Sequence, residues 1–393
     1  MDFKFSAEQR DFMAEVERFL DQNADPELFD VSRENMAQVA DTPPRRAFMR
    51  RLAAQGWLGM SWPKEWGGQE REGIYEFLLN EALAGRGGPQ IGKGVGIIGK
   101  TLLRHGNEKL KSEFLPKILA AEIEFAIGYS EPGAGSDAAS MKLKATRQDD
   151  GWLLNGEKTW TTSAHFAEWY WVGARTNPDA PKHHGITLFL VPMNHPRITV
   201  NGIWTMGEER TNSVHLDDVW VSDDYVVGEV DKGFQYISEA LDTERFTMFT
   251  FSPIAQRVAA LLDYVTTETR DGQPLREDPV VRRQVAQTVT ETEVARLLGL
   301  RFLAKSMRPG PAPTVEASEY KLYATELSKR LANLAMDLGS PGTQLKQGDA
   351  RAPMSGRAES TYRFTVLDTI GGGTSEVQKN ILSRRKLGLP RSF

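Results

Sequence analysis

The 393-residue sequence contains no cysteine. That absence excludes a disulfide framework, a Cys-based zinc site, an iron–sulfur cluster and a thiol nucleophile. Histidine is scarce: His105, His165, His183, His184, His195 and His215 include no pair four residues apart around an acid, the spacing of a metal-binding helix. No Gly-x-Ser-x-Gly elbow offers a serine nucleophile. No run approaches the ~20 apolar residues that cross a bilayer. The first twenty residues carry Phe5, Phe12, Val16 and Leu20 on one helical face, without the basic start and continuous apolar core of a signal peptide. Excess charge is missing too, since 48 Lys+Arg against 53 Asp+Glu leave a net charge of −5. No strong field attracts nucleic acid or an anionic membrane. A protein of the cytoplasm is expected, with neither as partner.

What is present is a change of period along the chain. Residues 1–123 read as amphipathic helices broken by Gly and Pro, with Leu110, Phe114, Leu115, Ile118 and Leu119 marking one buried face. Residues 124–231 switch to short apolar or alternating runs: Phe125–Ile127, Trp152–Leu154, Trp169–Val172, Ile186–Val191 and Val214–Val221. Asn155-Gly156 carries the composition of a hairpin turn. Residues 232–393 return to the helical period. Helices, strands, then helices predict a mainly α protein with a central β domain rather than alternating βαβ units.

Gly94-Val95-Gly96-Ile97-Ile98-Gly99-Lys100-Thr101 satisfies the phosphate-binding P-loop pattern. That mechanism needs a buried strand feeding the loop and a helix behind it. Residues 81–90 are helical and then Gly-rich, so the segment reads as a small-residue helix packed closely against a neighbour or ligand.

Two further segments suit a planar, polar-edged ligand. Tyr129-Ser130-Glu131-Pro132-Gly133-Ala134-Gly135-Ser136-Asp137 is a small-residue loop that lets backbone N–H groups approach a ligand, with hydroxyl donors at its ends. Gly156-Glu157-Lys158-Thr159-Trp160-Thr161-Thr162-Ser163 joins a flat aromatic to a run of hydroxyls. It reads equally as a half-buried strand whose Trp fills the core.

Together these segments resemble the acyl-CoA dehydrogenase family over essentially the whole chain. Thr205–Asp218 looks like the family's β-to-α crossover, and Gly373-Thr374-Ser375-Glu376-Val377-Gln378-Lys379-Asn380 resembles its last flavin-contacting turn and helix. The resemblance implies three domains: α-helical (1–123), β-barrel-like (124–231) and an α-helical bundle (232–393). It implies FAD as cofactor and an acyl-CoA substrate converted to the trans-2-enoyl-CoA, with hydride passing to flavin N5 and electrons to an electron-transferring flavoprotein. Matched residue by residue, Tyr129, Ser130, Ser136, Trp160, Thr162, Thr374 and Glu376 would contact FAD. Arg270 would reach the FAD of a neighbouring subunit.

The sequence departs from the commonest family pattern at the base. A Glu ordinarily precedes the last Gly-Thr, but here Thr369-Ile370-Gly371-Gly372-Gly373-Thr374 places Gly372 there. Isovaleryl-CoA and long-chain acyl-CoA dehydrogenases instead carry the base in a Leu-x-x-Glu-Arg context, and this chain has Leu241-Asp242-Thr243-Glu244-Arg245. Glu244 is therefore the expected α-proton base, with Glu239 and Asp242 as fallbacks, and Gly372 keeps a backbone role at the thioester carbonyl. The apolar run after Glu244 predicts partial desolvation, which raises a carboxylate's pKa toward the range a base needs. Three glycines at 371–373 predict room for a bulky acyl group, branched or polycyclic. The Phe-Gly that follows the Arg in many relatives is absent after Arg270, which leaves the cross-subunit contact open. A homodimer or homotetramer is expected, with a heterotetramer as the alternative. The competing functional readings are a half-site or non-catalytic subunit of such a heteromer and a flavin acyl-CoA oxidase.

Overall fold

The computed structural model describes residues 4–31, 40–248, 250–308, 313–339 and 341–390, with the backbone alone for 242–248. The chain forms two compact units. One comprises Met1–Ala37, Phe77–Gly88 and Met248–Phe393; the other comprises Gln38–Glu76 and Pro89–Thr247. Helices precede and follow a central sheet, the mainly α arrangement with a β domain that the sequence predicts.

The helices in order are α1 (Ala7–Gln22), α2 (Pro43–Ala54), α3 (Ile74–Gly85), α4 (Lys100–His105), α5 (Glu108–Leu119), α6 (Gly233–Met248), α7 (Ser252–Thr267), α8 (Pro279–Ser306), α9 (Thr314–Leu338), α10 (Arg357–Asp368) and α11 (Ser375–Arg385). Local chemistry sets several of their ends. Ser6 and Gln9 form a capping box on α1, Asn107 caps α5 and Thr374 caps α11, each supplying an acceptor to an otherwise unpaired N–H. In the first unit α9 packs against α7, α8, α10 and α11. Glu81 of α3 caps α7 from outside, its carboxylate accepting from Phe251 N, Ser252 N (both 2.8 Å) and Ser252 Oγ.

The second unit is built on an eight-stranded sheet: β1 (Phe125–Gly128), β2 (Lys144–Gln148), β3 (Gly151–Lys158), β4 (Trp169–Arg175), β5 (Ile186–Pro192), β6 (Ile198–Trp204), β7 (Arg210–Ser222) and β8 (Val226–Val227). The order is β6-β7-β3-β2-β4-β5-β8, with β1 parallel to β4. The core includes Leu154, Tyr170, Val172, Phe189, Val191, Val214 and Val219, each 0 % exposed. Phe114 seats α5 on this sheet, its ring edge-on to Trp169 at 4.7 Å.

Two sequence expectations change here. Asn155-Gly156 is not a hairpin turn; it lies inside β3, where the register against β7 shifts at a bulge. Gly156 has a φ of +139°, and Asn155 is tied to Asp218 through both its amide atoms at 2.9 Å. Glycine here permits the bulge geometry, and the hairpin turn falls earlier, at Asp149-Asp150. Thr205–Asp218 is the β6–β7 turn and most of β7, not a crossover into helix.

Candidate functional site

The loop after β1 is fixed by its acid. Glu131 is 9 % exposed and accepts from Lys142 N (2.6 Å), Leu143 N (2.8 Å) and Lys158 Nζ (2.8 Å). Lys158, at the end of β3, is fully buried and also donates to the Tyr129 carbonyl at 3.3 Å. Burial pulls its pKa down to about 8 against the opposing pull of Glu131. One buried ion pair thus ties the two ligand-type segments together, a structural role that the sequence does not reveal for either residue. Tyr129 accepts from Trp171 Nε1 at 2.7 Å, and the Ser130 carbonyl accepts from Thr159 N at 2.9 Å. Among the described residues the hydroxyls of Ser130 and Ser136 have no partner.

Trp160 does not fill the core: it is 60 % exposed, at a φ of +57°, and Ser163 follows at +76°. Both lie in the left-handed region that costs an L residue ~1–2 kcal/mol, so their surroundings must impose it. They do so by binding the carbonyls of the turn. Asn212 Nδ2 donates to Thr161 O at 2.9 Å, Lys93 Nζ to Thr162 O at 3.3 Å and Arg46 Nη2 to Phe166 O at 2.7 Å. Thr161 N returns a bond to Asn212 O, and Lys93 also reaches Ser163 Oγ. The Thr162 hydroxyl is left without a partner among the described residues. Beneath the turn, Arg46 pairs with Glu168 at 2.6 Å, and Glu124 is pushed up to about 7, chiefly by burial, with Arg46 and Lys93 opposing and Glu168 reinforcing the shift.

The C-terminal glycines form a second turn, in the other unit. Gly372 and Gly373 have φ of +65° and +94°, suited to glycine. Their carbonyls accept from Gln378 Nε2 at 3.1 and 3.2 Å, and Lys321 Nζ donates to Gly373 O at 2.8 Å. The N–H groups of Gly372 and Gly373 have no partner among the described residues. Thr374 Oγ1 accepts from Val377 N at 3.2 Å. Glu376, exposed in the first turn of α11, is held below the usual carboxylate range by its own backbone N–H and by Thr374. Arg270 lies on a short hairpin, Thr269–Arg270 against Gln273–Pro274, and donates to the Leu338 carbonyl at 2.6 Å. Asp271 and Gly272, both with positive φ, are the turn residues of that hairpin.

Glu244 lies on α6, and its side chain, like that of Asp242, is outside the described residues. Glu239, the other fallback, is occupied: it accepts from His105 Nε2 at 2.8 Å and from Gln235 Nε2 at 3.1 Å. Its pKa is lowered despite the desolvation that opposes this, the wrong direction for a base.

The P-loop pattern is disposed of directly. Gly94–Gly99 is a buried π-helical segment leading into α4, and a side chain at Gly99 would collide with the Trp62 indole. Lys100 is paired with buried Glu76 at 2.8 Å, and Glu76 also accepts from Ser61 N and Oγ. The lysine of the pattern is thus engaged by a carboxylate rather than turned to a phosphate.

An exposed indole beside a hydroxyl with no partner among the described residues, with two more such serine hydroxyls on the adjoining loop, offers a flat face and donors of the kind a flavin takes. The residues fit the cofactor. The family patterns for the N-terminal, middle and C-terminal domains of acyl-CoA dehydrogenase match residues 6–122, 126–219 and 231–387. The chain belongs to the acyl-CoA dehydrogenase family, whose members are oxidoreductases. It is 32 % identical to acyl-CoA dehydrogenase FadE26 of Mycobacterium tuberculosis over 354 residues, 88 % of each chain. Among solved structures, the Tcur3481-Tcur3483 steroid ACAD matches at 30 % identity with a TM-score of 0.89, covering 100 % of both chains. The ChsE4-ChsE5 complex from Mycobacterium tuberculosis matches at 29 % identity, with the same TM-score and coverage.

Proposed function

We propose that this protein removes hydrogen across the Cα–Cβ bond of a bulky, steroid-type acyl-CoA thioester, working in the cytoplasm as part of a heteromeric assembly. The observation that carries the reading is the Gly372-Gly373 turn, whose N–H donors stand free where the commonest family members carry their acid. The two solved relatives above, the Tcur3481-Tcur3483 steroid ACAD and the ChsE4-ChsE5 complex, support the substrate class and the assembly. In this reading residues 1–123, 124–231 and 232–393 are the functional segments.

FAD, when bound by Tyr129, Ser130, Ser136, Trp160, Thr162, Arg270, Thr374 and Glu376, supplies the hydride-accepting chemistry, and an electron-transferring flavoprotein takes the electrons onward. The chain's own work is proton chemistry and orientation. Glu244 takes the α-proton. The Gly372 N–H binds the thioester oxygen, where negative charge develops as that proton leaves. Any residue except proline supplies that donor, so moving the acid to α6 leaves the oxyanion position intact.

Glu244→Gln is the test. Removing a general base typically costs ~10²–10⁴-fold, so bleaching of the flavin by substrate and exchange of the α-hydrogen with solvent should both fall by that order, with FAD content and acyl-CoA affinity retained. Rates within a few-fold of wild type would exclude Glu244 and direct attention to Asp242.

A further inference from the structure

Lys321 is a lysine in the wrong place for a surface residue. It sits on the core face of α9 between Ala317 and Ala324, in line with buried Ser318, Thr325 and Ser328, and it is 0 % exposed. A buried ammonium group requires strong compensation, and one of its bonds goes to a peptide carbonyl, Gly373 O at 2.8 Å. Gln378, also fully buried, directs both bonds of its amide nitrogen to the carbonyls of Gly372 and Gly373, while its Oε1 has no partner.

In a trans peptide the C=O and N–H point in opposite directions. Holding the Gly372 and Gly373 carbonyls on buried donors therefore turns the N–H groups of the same peptides, those of Gly373 and Thr374, to the opposite side. Positive φ at both glycines completes the bend. A cation on the carbonyl side also polarises these peptides and adds positive potential in a low-dielectric surrounding.

We propose that Lys321 is a positioning residue for the thioester oxygen: with Gln378 it fixes and polarises the peptides that follow Gly372 and Gly373, so that the Gly373 N–H joins the Gly372 N–H in meeting developing oxyanion charge. The inference rests on the dehydrogenase reading above. It assigns Lys321 no contact with substrate.

The test uses flavin-loaded enzyme and an acyl-CoA substrate isotopically labelled at the thioester carbonyl, with the infrared stretch of the bound carbonyl as readout. In wild type the stretch should lie below its value in water. In Lys321→Met at least half of that lowering should vanish, and kcat should fall on the order of 10-fold with KM within about threefold, less than loss of a direct oxyanion donor. Lys321→Arg, which keeps the charge, should recover part of both. Gln378→Met, which leaves Lys321 in place, gives a smaller shift of the same sign and serves should Lys321→Met fail to fold. A wild-type stretch in folded Lys321→Met or Gln378→Met overturns the proposal and leaves the dehydrogenase reading standing. Wild-type enzyme that binds acyl-CoA without lowering the stretch, or does not bind it, overturns both.

Discussion

The turn around Trp160 and the turn at Gly371–Gly373 solve the same problem with different materials. In each, buried or half-buried donors grip the backbone carbonyls: Asn212, Lys93 and Arg46 in the first, Gln378 and Lys321 in the second. In each, non-helical backbone with positive φ results. The first turn presents side chains, an exposed indole and a free hydroxyl. The second presents only N–H groups, because its residues have no side chains. The first is also underpinned by paired charges, Lys158 with Glu131 and Arg46 with Glu168. A site for a flat heterocycle and a site for a single developing charge thus share one principle, which is to satisfy the acceptors internally and leave the donors free.

Breaking the ion pair under the first turn should have the largest effect. Lys158→Met strands the Glu131 carboxylate in a buried site, which costs ~3–5 kcal/mol. Chemical denaturation should show that loss, and Lys158→Met with Glu131→Leu should restore much of it. If the single variant is as stable as wild type, the pair does not hold the loop.

Removing what the first turn presents, while keeping its clamps, separates binding from stability. Trp160→Ala with Thr162→Ala should weaken FAD retention by on the order of 10-fold, the ~1.4 kcal/mol expected from loss of one stacking contact and one hydrogen bond. The melting temperature of the flavin-free protein should change little. Equal FAD content and reduction rate in the double variant would remove these residues from the cofactor site.

A third effect concerns pH. Glu124, with a folded pKa of about 7 against 4.5, is an acid whose neutral form the folded state favours. Its contribution is most favourable below pH 4.5 and is lost as pH rises through 7, since the unfolded chain then binds fewer protons than the native one. Glu124→Gln should therefore gain stability relative to wild type between pH 5 and 8, by ~1–3 kcal/mol. Parallel melting-temperature profiles for the two proteins would show that Glu124 does not titrate in this range.

The alternation of helical and strand periods, the rejection of the P-loop and the two ligand-type segments are all legible in the sequence, because they rest on local spacing and on residue types with few other uses. The same local reasoning misplaces Asn155-Gly156. Turn composition is shared by bulges, and only pairing with Asp218 on β7 distinguishes the two. It also leaves Trp160 between core and surface, since an aromatic suits either. Glu131 and Lys158 are read only as members of the two ligand-type segments, and nothing in the local spacing singles out Lys321; the partners of the two lysines lie 27 and 52 residues away along the chain. The sequence by itself determines which elements form, where glycine permits unusual backbone and which residue types are available for flavin and thioester chemistry. Tertiary structure alone decides which carbonyls are bound and which donors stay free, because a peptide group's orientation is set by what it meets across the fold and not by its neighbours in the chain.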